Sequence, residues 1–179
     1  MNFVKENFRS GGLLERITSM KNNGSKNIAS AVRALALPLA EEMGYYLWDV
    51  EFVKEGADKY LRITLDNEDG ITIEDCERFH RAIDPILDEA DPISEAYILE
   101  VSSPGIEREL KYPEHIDACE GWSVEVKLYA PKDGAKSFRG ELCGYDADGN
   151  IVIKTGESDI VFKPDEVAKI STYYDFDSI

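Results

Sequence analysis

Two imidazoles, three thiols and thirty-six carboxylates are the groups from which this 179-residue chain would have to build a reactive centre. His80 and His115 are the only imidazoles. His80 lies in a helical pattern with no second histidine four residues away, so a helix-surface or core-edge role fits it better than a metal site. Cys76, Cys119 and Cys143 stand 43 and 24 residues apart without a CxxC pair, which argues against a zinc knuckle or a disulfide framework and for reduced thiols. Ser102 and Ser103 sit in no Gly-x-Ser-x-Gly elbow, and no phosphate-loop or dinucleotide glycine pattern occurs. The carboxylates are too numerous to single out an acid–base pair by spacing. Asp146, Asp148, Asn150 and Glu157 occupy the first, third, fifth and twelfth places of a calcium loop, but Ile151 holds the sixth, where the sharp bend needs glycine. A hairpin turn through Asp-Gly-Asn accounts for them better. No catalytic residue, metal or cofactor is expected.

What remains is a basic spot: Lys132, Lys136 and Arg139, with Phe138 interleaved, around one predicted hairpin, and Arg108 with Lys111 near a domain junction. A solvated hairpin is the plain reading; hairpin loops of small barrels are also frequent contact sites for nucleic acid or protein. The surrounding charge favours a basic partner. Lys plus Arg number 20 and Asp plus Glu 36, a net charge of −16. Residues 1–26 carry +3, residues 27–102 carry −12 and residues 103–179 carry −7, so the middle of the chain is the acidic pole. Binding driven by counterion release from nucleic acid, or by an anionic membrane, is disfavoured, whereas a cationic partner is steered inward.

The elements that must position these groups follow from periodicity. Residues 1–25 read as an extension, with Leu13, Leu14 and Ile17 at helical spacing and a linker over 21–25. Ile28, Val32, Leu35, Leu39 and Met43 form one helical face ended by Gly44, with Pro38 predicted to kink or restart the helix. The period then becomes two: Trp48, Val50 and Phe52 in one strand, Leu61, Ile63 and Leu65 in the next. Thr72 caps a second helix with Glu74 and Asp75 in its positive first turn, Ile71 and Cys76 as a staple, Phe79, Ile83, Ile86 and Leu87 as its buried face and Pro85 as a bend. Tyr97, Leu99 and Val101 make a third strand. The result is an α+β fold: an α-β-β-α-β domain over 26–105, two helices on a three-stranded sheet. Ser102 to Gly105 closes it as a type II turn. A linker with a short helix follows over 106–120. Five short strands over 121–172 predict a small SH3-like or Sm-like barrel, with a frayed tail over 173–179.

Leu99-Glu-Val-Ser-Ser-Pro-Gly-Ile-Glu-Arg-Glu-Leu110 closely resembles the signature of the bacterial RimP ribosome maturation factors. The resemblance extends to Gly44-Tyr45-Tyr46-Leu47, to Asp66–Cys76, to Asp88–Ile93 and to Lys136-Ser-Phe-Arg-Gly140, and so covers roughly 27–172. Glu109 stands where that signature commonly has proline. The resemblance implies a non-enzymatic cytoplasmic factor for maturation of the small ribosomal subunit, contacting the immature particle and the basic small-subunit protein twelve. Ser102, Ser103, Pro104, Gly105, Arg108, Lys132, Lys136, Phe138 and Arg139 are the candidate contact residues, with rRNA as a further possible contact and a monomer as the expected state. The competing reading is a stand-alone RNA-binding or translation-regulatory module using the barrel. A carboxylate hydrolase is the third, and no residue nominates it.

Overall fold

The computed structural model describes residues 23–174 apart from Glu157, with side chains from Asn27 onward. Leu13, Leu14 and Ile17, and residues 175–179 of the tail, lie outside the described residues. The chain divides into two compact units, one over Asn22–Gly105 and one that includes Ile106–Ile179.

The first unit runs α1 (Asn23–Glu42), β1 (Tyr46–Glu55), β2 (Asp58–Asp66), α2 (Ile73–Ala90) and β3 (Ile98–Ser102). Helix α1 takes in residues 23–25 of the stretch read as a linker. It also passes through Pro38 without interruption, as α2 passes through Pro85. Each proline is exposed, and the carbonyl it leaves without a helical partner belongs to an exposed residue, Ala34 or Arg81, where the loss is cheapest. Gly44, at φ +80, ends α1 by bringing the Tyr45 N–H back to the Ala40 carbonyl at 2.8 Å. The Thr72 capping box forms as the sequence requires.

The sheet order is β1-β2-β3, β1 antiparallel and β3 parallel to β2, with α2 as the crossover. Leu61, Ile63 and Leu65 of β2 and Phe79 and Ile83 of α2 are fully buried, each contributing about 1.5–3 kcal/mol of burial. One face of β1 differs from its alternation. A bulge between Leu47 and Asp49 puts Leu47 in the core row with Val50 and Phe52, and Trp48 outside that cluster. Strand β3 begins at Ile98 and holds Ser102, which pairs with Thr64 rather than opening a turn.

The second unit runs α3 (Pro113–Ala118), β4 (Ser123–Lys132), β5 (Ala135–Tyr145), β6 (Ile151–Thr155), β7 (Ser158–Phe162) and β8 (Val167–Thr172). Its antiparallel sheet has the order β7-β6-β5-β4-β8, so the last strand returns to pair with the first. Val124, Val126, Leu142, Ile153 and Phe162 form its fully buried centre. The β4–β5 hairpin is longer than its apolar pattern indicates and turns through Asp133 and Gly134 at φ 50 and 83. Positive φ at both central residues is the turn type that the Asp-Gly dipeptide favours. Glu109 faces Ser171 as a non-hydrogen-bonded pair: the Leu110 N–H donates to the Ile170 carbonyl and the Thr172 N–H to the Arg108 carbonyl, each at 2.9 Å, so a proline at 109 would forfeit no ladder bond; the Glu109 carboxylate lies 3.8 Å from Lys169. Tyr173 is held, not frayed: its N–H donates to the Ser123 carbonyl at 2.7 Å.

Candidate partner-binding surfaces

The nominated residues fall in both units. Ser102 ends β3; Ser103 is exposed, Pro104 half-buried, and Gly105 adopts φ +75, the conformation a Pro-Gly pair calls for. Arg108 belongs to the second unit. Its N–H donates to the Thr172 hydroxyl oxygen at 2.8 Å, that hydroxyl donates to the Ile106 carbonyl at 2.7 Å, and the guanidinium lies 5.5 Å over the half-exposed ring of Trp122. Buried His115 accepts from the Lys111 N–H at its Nδ1, 3.1 Å away, and meets Tyr112 edge to face, so the second imidazole organises the start of α3.

The basic spot separates into distinct contacts. Lys132 donates to the Val161 carbonyl at 2.6 Å, pairs with Glu166 at 3.4 Å and lies 5.2 Å over Phe162. It ties the end of β4 to β7 and the turn before β8. The Lys163 N–H, with help from Lys132, holds the Glu166 carboxyl below its usual range. Phe138 faces Val126 across the ladder and packs 5.3 Å from Phe162. Arg139, one residue on, takes the opposite face: it donates to Glu125 at 3.0 Å and to the Tyr173 hydroxyl at 3.1 Å and stacks 4.1 Å over that ring. Lys136 is exposed near the start of β5.

The outward face that carries Arg139 also carries Lys127, opposite Lys169 on β8. Burial alone would raise the Glu125 carboxyl, but donors from Lys127, Arg139 and Ser137 outweigh it and hold the group below its ordinary range. Lys127 and Lys169 were not among the sequence candidates. The alternation along β4 was a signal for Lys127, whereas Lys169 needed the β4–β8 register.

In the first unit four cations are engaged locally. Arg62 reaches Glu55 and Glu100, each at 2.7 Å; Arg81 pairs with Glu77, Lys59 with Glu95 and Arg78 with Asp75. The Tyr45 hydroxyl donates to Asp75 at 2.7 Å and accepts from Arg78, fastening the start of β1 to α2. Donors from Thr72, side chain first, bring Asp75 down to about 2. The remaining surface is dominated by carboxylates, so its field attracts cations.

The calcium-like stretch is a turn. Asp146 accepts from the N–H groups of Asp148 and Asn150 and from the Asn150 side chain, all at 2.9 Å, which consumes the carboxylate; Glu157 lies outside the described residues. Among the described residues no cluster of three or more His, Cys, Asp or Glu side chains is arranged for a metal ion, and no helix is long and apolar enough to cross a membrane.

The chain thus joins an α+β unit rich in carboxylates to a small unit built on one antiparallel sheet. Residues 35–107 match the family described as the RimP N-terminal domain, so the first unit is similar to that domain of the ribosome maturation factors.

Proposed function

We propose that this chain is a non-catalytic, cytoplasmic assembly factor that binds the immature small ribosomal subunit as a monomer. Its acidic first unit holds a basic ribosomal protein, small-subunit protein twelve, before that protein settles on rRNA. The observation that carries this reading is that the family match, 35–107, falls almost wholly on the segment bearing −12, 27–102. Opposite charge accelerates encounter and suppresses wrong partners, and it leaves the complex sensitive to salt. Ser102, Ser103, Pro104, Gly105, Arg108, Lys132, Lys136, Phe138 and Arg139 orient the factor on the particle. The second unit is a small SH3-like or Sm-like barrel, a reading supported by a last strand that returns to the first.

The test is capture of purified small-subunit protein twelve by the full chain at moderate and at high salt. Retention at moderate salt that weakens with added salt is the expected result; no capture, or capture indifferent to salt, refutes the electrostatic reading. Cells lacking the protein should accumulate free small subunits with unprocessed rRNA in a sucrose gradient, and a normal profile would overturn the assembly role.

A further inference from the structure

Strand β3 is an unusual edge. Its sequence, Ile98-Leu-Glu-Val-Ser102, is apolar at three positions of five, yet none of its residues is buried, and Ile98 is 45% exposed. One side pairs with β2; among the described residues the other side carries no ladder. Proteins usually blunt such an edge with lysine, proline or a bulge, and β3 has none of these. Beside it, a groove of about 520 Å³ runs between β3 and the first turns of α2, walled by Ile73, Cys76, Glu77 and His80. Ile73 is 78% exposed although apolar. Ser102, one of the signature residues, lines the same groove.

From this geometry we infer that β3 accepts an added strand: an extended segment of a basic protein that alternates apolar and Lys or Arg residues. The reasoning starts from the ladder. An incoming strand satisfies the unpaired backbone groups of β3, and its side chains point alternately to the two faces. On the helix side they meet Leu99, Val101, Ile73 and Cys76, which is an apolar lining. On the other face they meet Glu100, while Glu77 on α2 stands at the helix-side wall of the groove, so a carboxylate flanks the edge on each face. Arg62, the cation of the groove, is already paired with Glu55 and Glu100. The net field of residues 27–102, −12, opposes a second copy of this chain on the edge and favours a cationic strand. This inference rests on the assembly reading and specifies how the basic partner is held.

The probe is a nine-residue peptide alternating lysine and valine, fluorescently labelled and titrated into the full chain. Two controls accompany it: the same peptide with proline at alternate positions, and one with glutamate replacing lysine. Binding of the first peptide alone is expected, with amide-exchange protection over 98–102. The exposed variants Ile73→Ser and Glu77→Lys should each weaken it by about five- to tenfold, and Glu89→Lys, equally acidic but outside the groove, by less than about twofold.

Equal loss in Glu77→Lys and Glu89→Lys, binding of the proline peptide, or absence of protection over 98–102 would overturn the inference. Protection without peptide that rises with protein concentration would assign the edge to a second copy, and protection independent of concentration to another part of the chain; either overturns it. Capture of small-subunit protein twelve separates the two proposals. Undiminished capture by Ile73→Ser and Glu77→Lys leaves the assembly reading standing and removes the groove, whereas loss of capture by the unaltered chain removes the reading itself.

Discussion

Replacing Gly140 with alanine would put a Cβ 2.4 Å from the carbonyl oxygen of Lys154 and 3.0 Å from both the carbonyl carbon and the Thr155 hydroxyl oxygen. Non-bonded carbon contacts are comfortable near about 3.5 Å, so β5 and β6 would have to part locally by about 1 Å. The hydroxyl can rotate away; the carbonyl belongs to a ladder in which Glu141 pairs with Lys154, and it cannot move alone. Overpacking of this kind costs about 1–3 kcal/mol, and the loss of glycine's freedom in the unfolded chain returns about 0.5–1. A net loss of about 1–2 kcal/mol follows, which for a unit of this size lowers its melting temperature by about 5–15 °C.

Urea unfolding followed by Trp122 fluorescence in a Trp48→Phe background reports on the second unit, since these are the two tryptophans. The midpoint should fall with the slope unchanged. Two comparisons sharpen the result. Gly149, at φ +79 with open space around it, tests conformation without crowding and should lose about 1 kcal/mol as alanine. Thr155→Ala should restore little to Gly140→Ala. A neutral or stabilised Gly140→Ala, or full rescue by Thr155→Ala, would refute the argument that a backbone carbonyl demands this glycine.

Thr72→Ala removes the side-chain half of the capping box and should lower first-unit stability by about 1 kcal/mol in urea melts. Asp75 sits at about 2 in the folded chain against an ordinary 3.8, so its contribution is present above the ordinary value and is lost as pH falls through about 2. Helical circular dichroism between pH 5 and pH 2 should show an acid limb that Asp75→Asn flattens. Tyr45→Phe, which deletes the hydroxyl shared by Asp75 and Arg78, should lose about 1–2 kcal/mol in the same melts. Lys132→Met should destabilise the second unit and leave capture of a basic partner unchanged, because its ammonium is engaged by Val161 and Glu166; weakened capture would extend its role from the particle to the basic partner.

Where local pattern decides an outcome, the residues were legible beforehand. The Thr72 box depends on four neighbouring positions, and the burial of Phe79, Ile83 and Leu87 on a period of three to four. The Asp133-Gly134 turn is also local: that dipeptide is a strong hairpin signal, although no apolar alternation runs through residues 129–137 to point to it. The candidate surface was less legible. Lys132, Phe138 and Arg139 are close in sequence but diverge in space, because strand alternation sends Phe138 inward and Arg139 outward, and because Lys132 is drawn to β7 by Val161 and Glu166.

The order of helices and strands, the acidic pole and the absence of nucleotide and zinc spacings follow from the sequence, since propensity, periodicity and net charge act between near neighbours or add along the chain. Tertiary structure alone decided that β3 lies parallel to β2 with no ladder on its other edge among the described residues, that a bulge puts Leu47 into the main core cluster and buries Trp48 outside it, and that Gly140 sits beneath the Lys154 carbonyl. Each of these depends on which distant strands meet and in what register. Register is set by the packing of the whole sheet, and a one-residue slip would send every side chain to the other face.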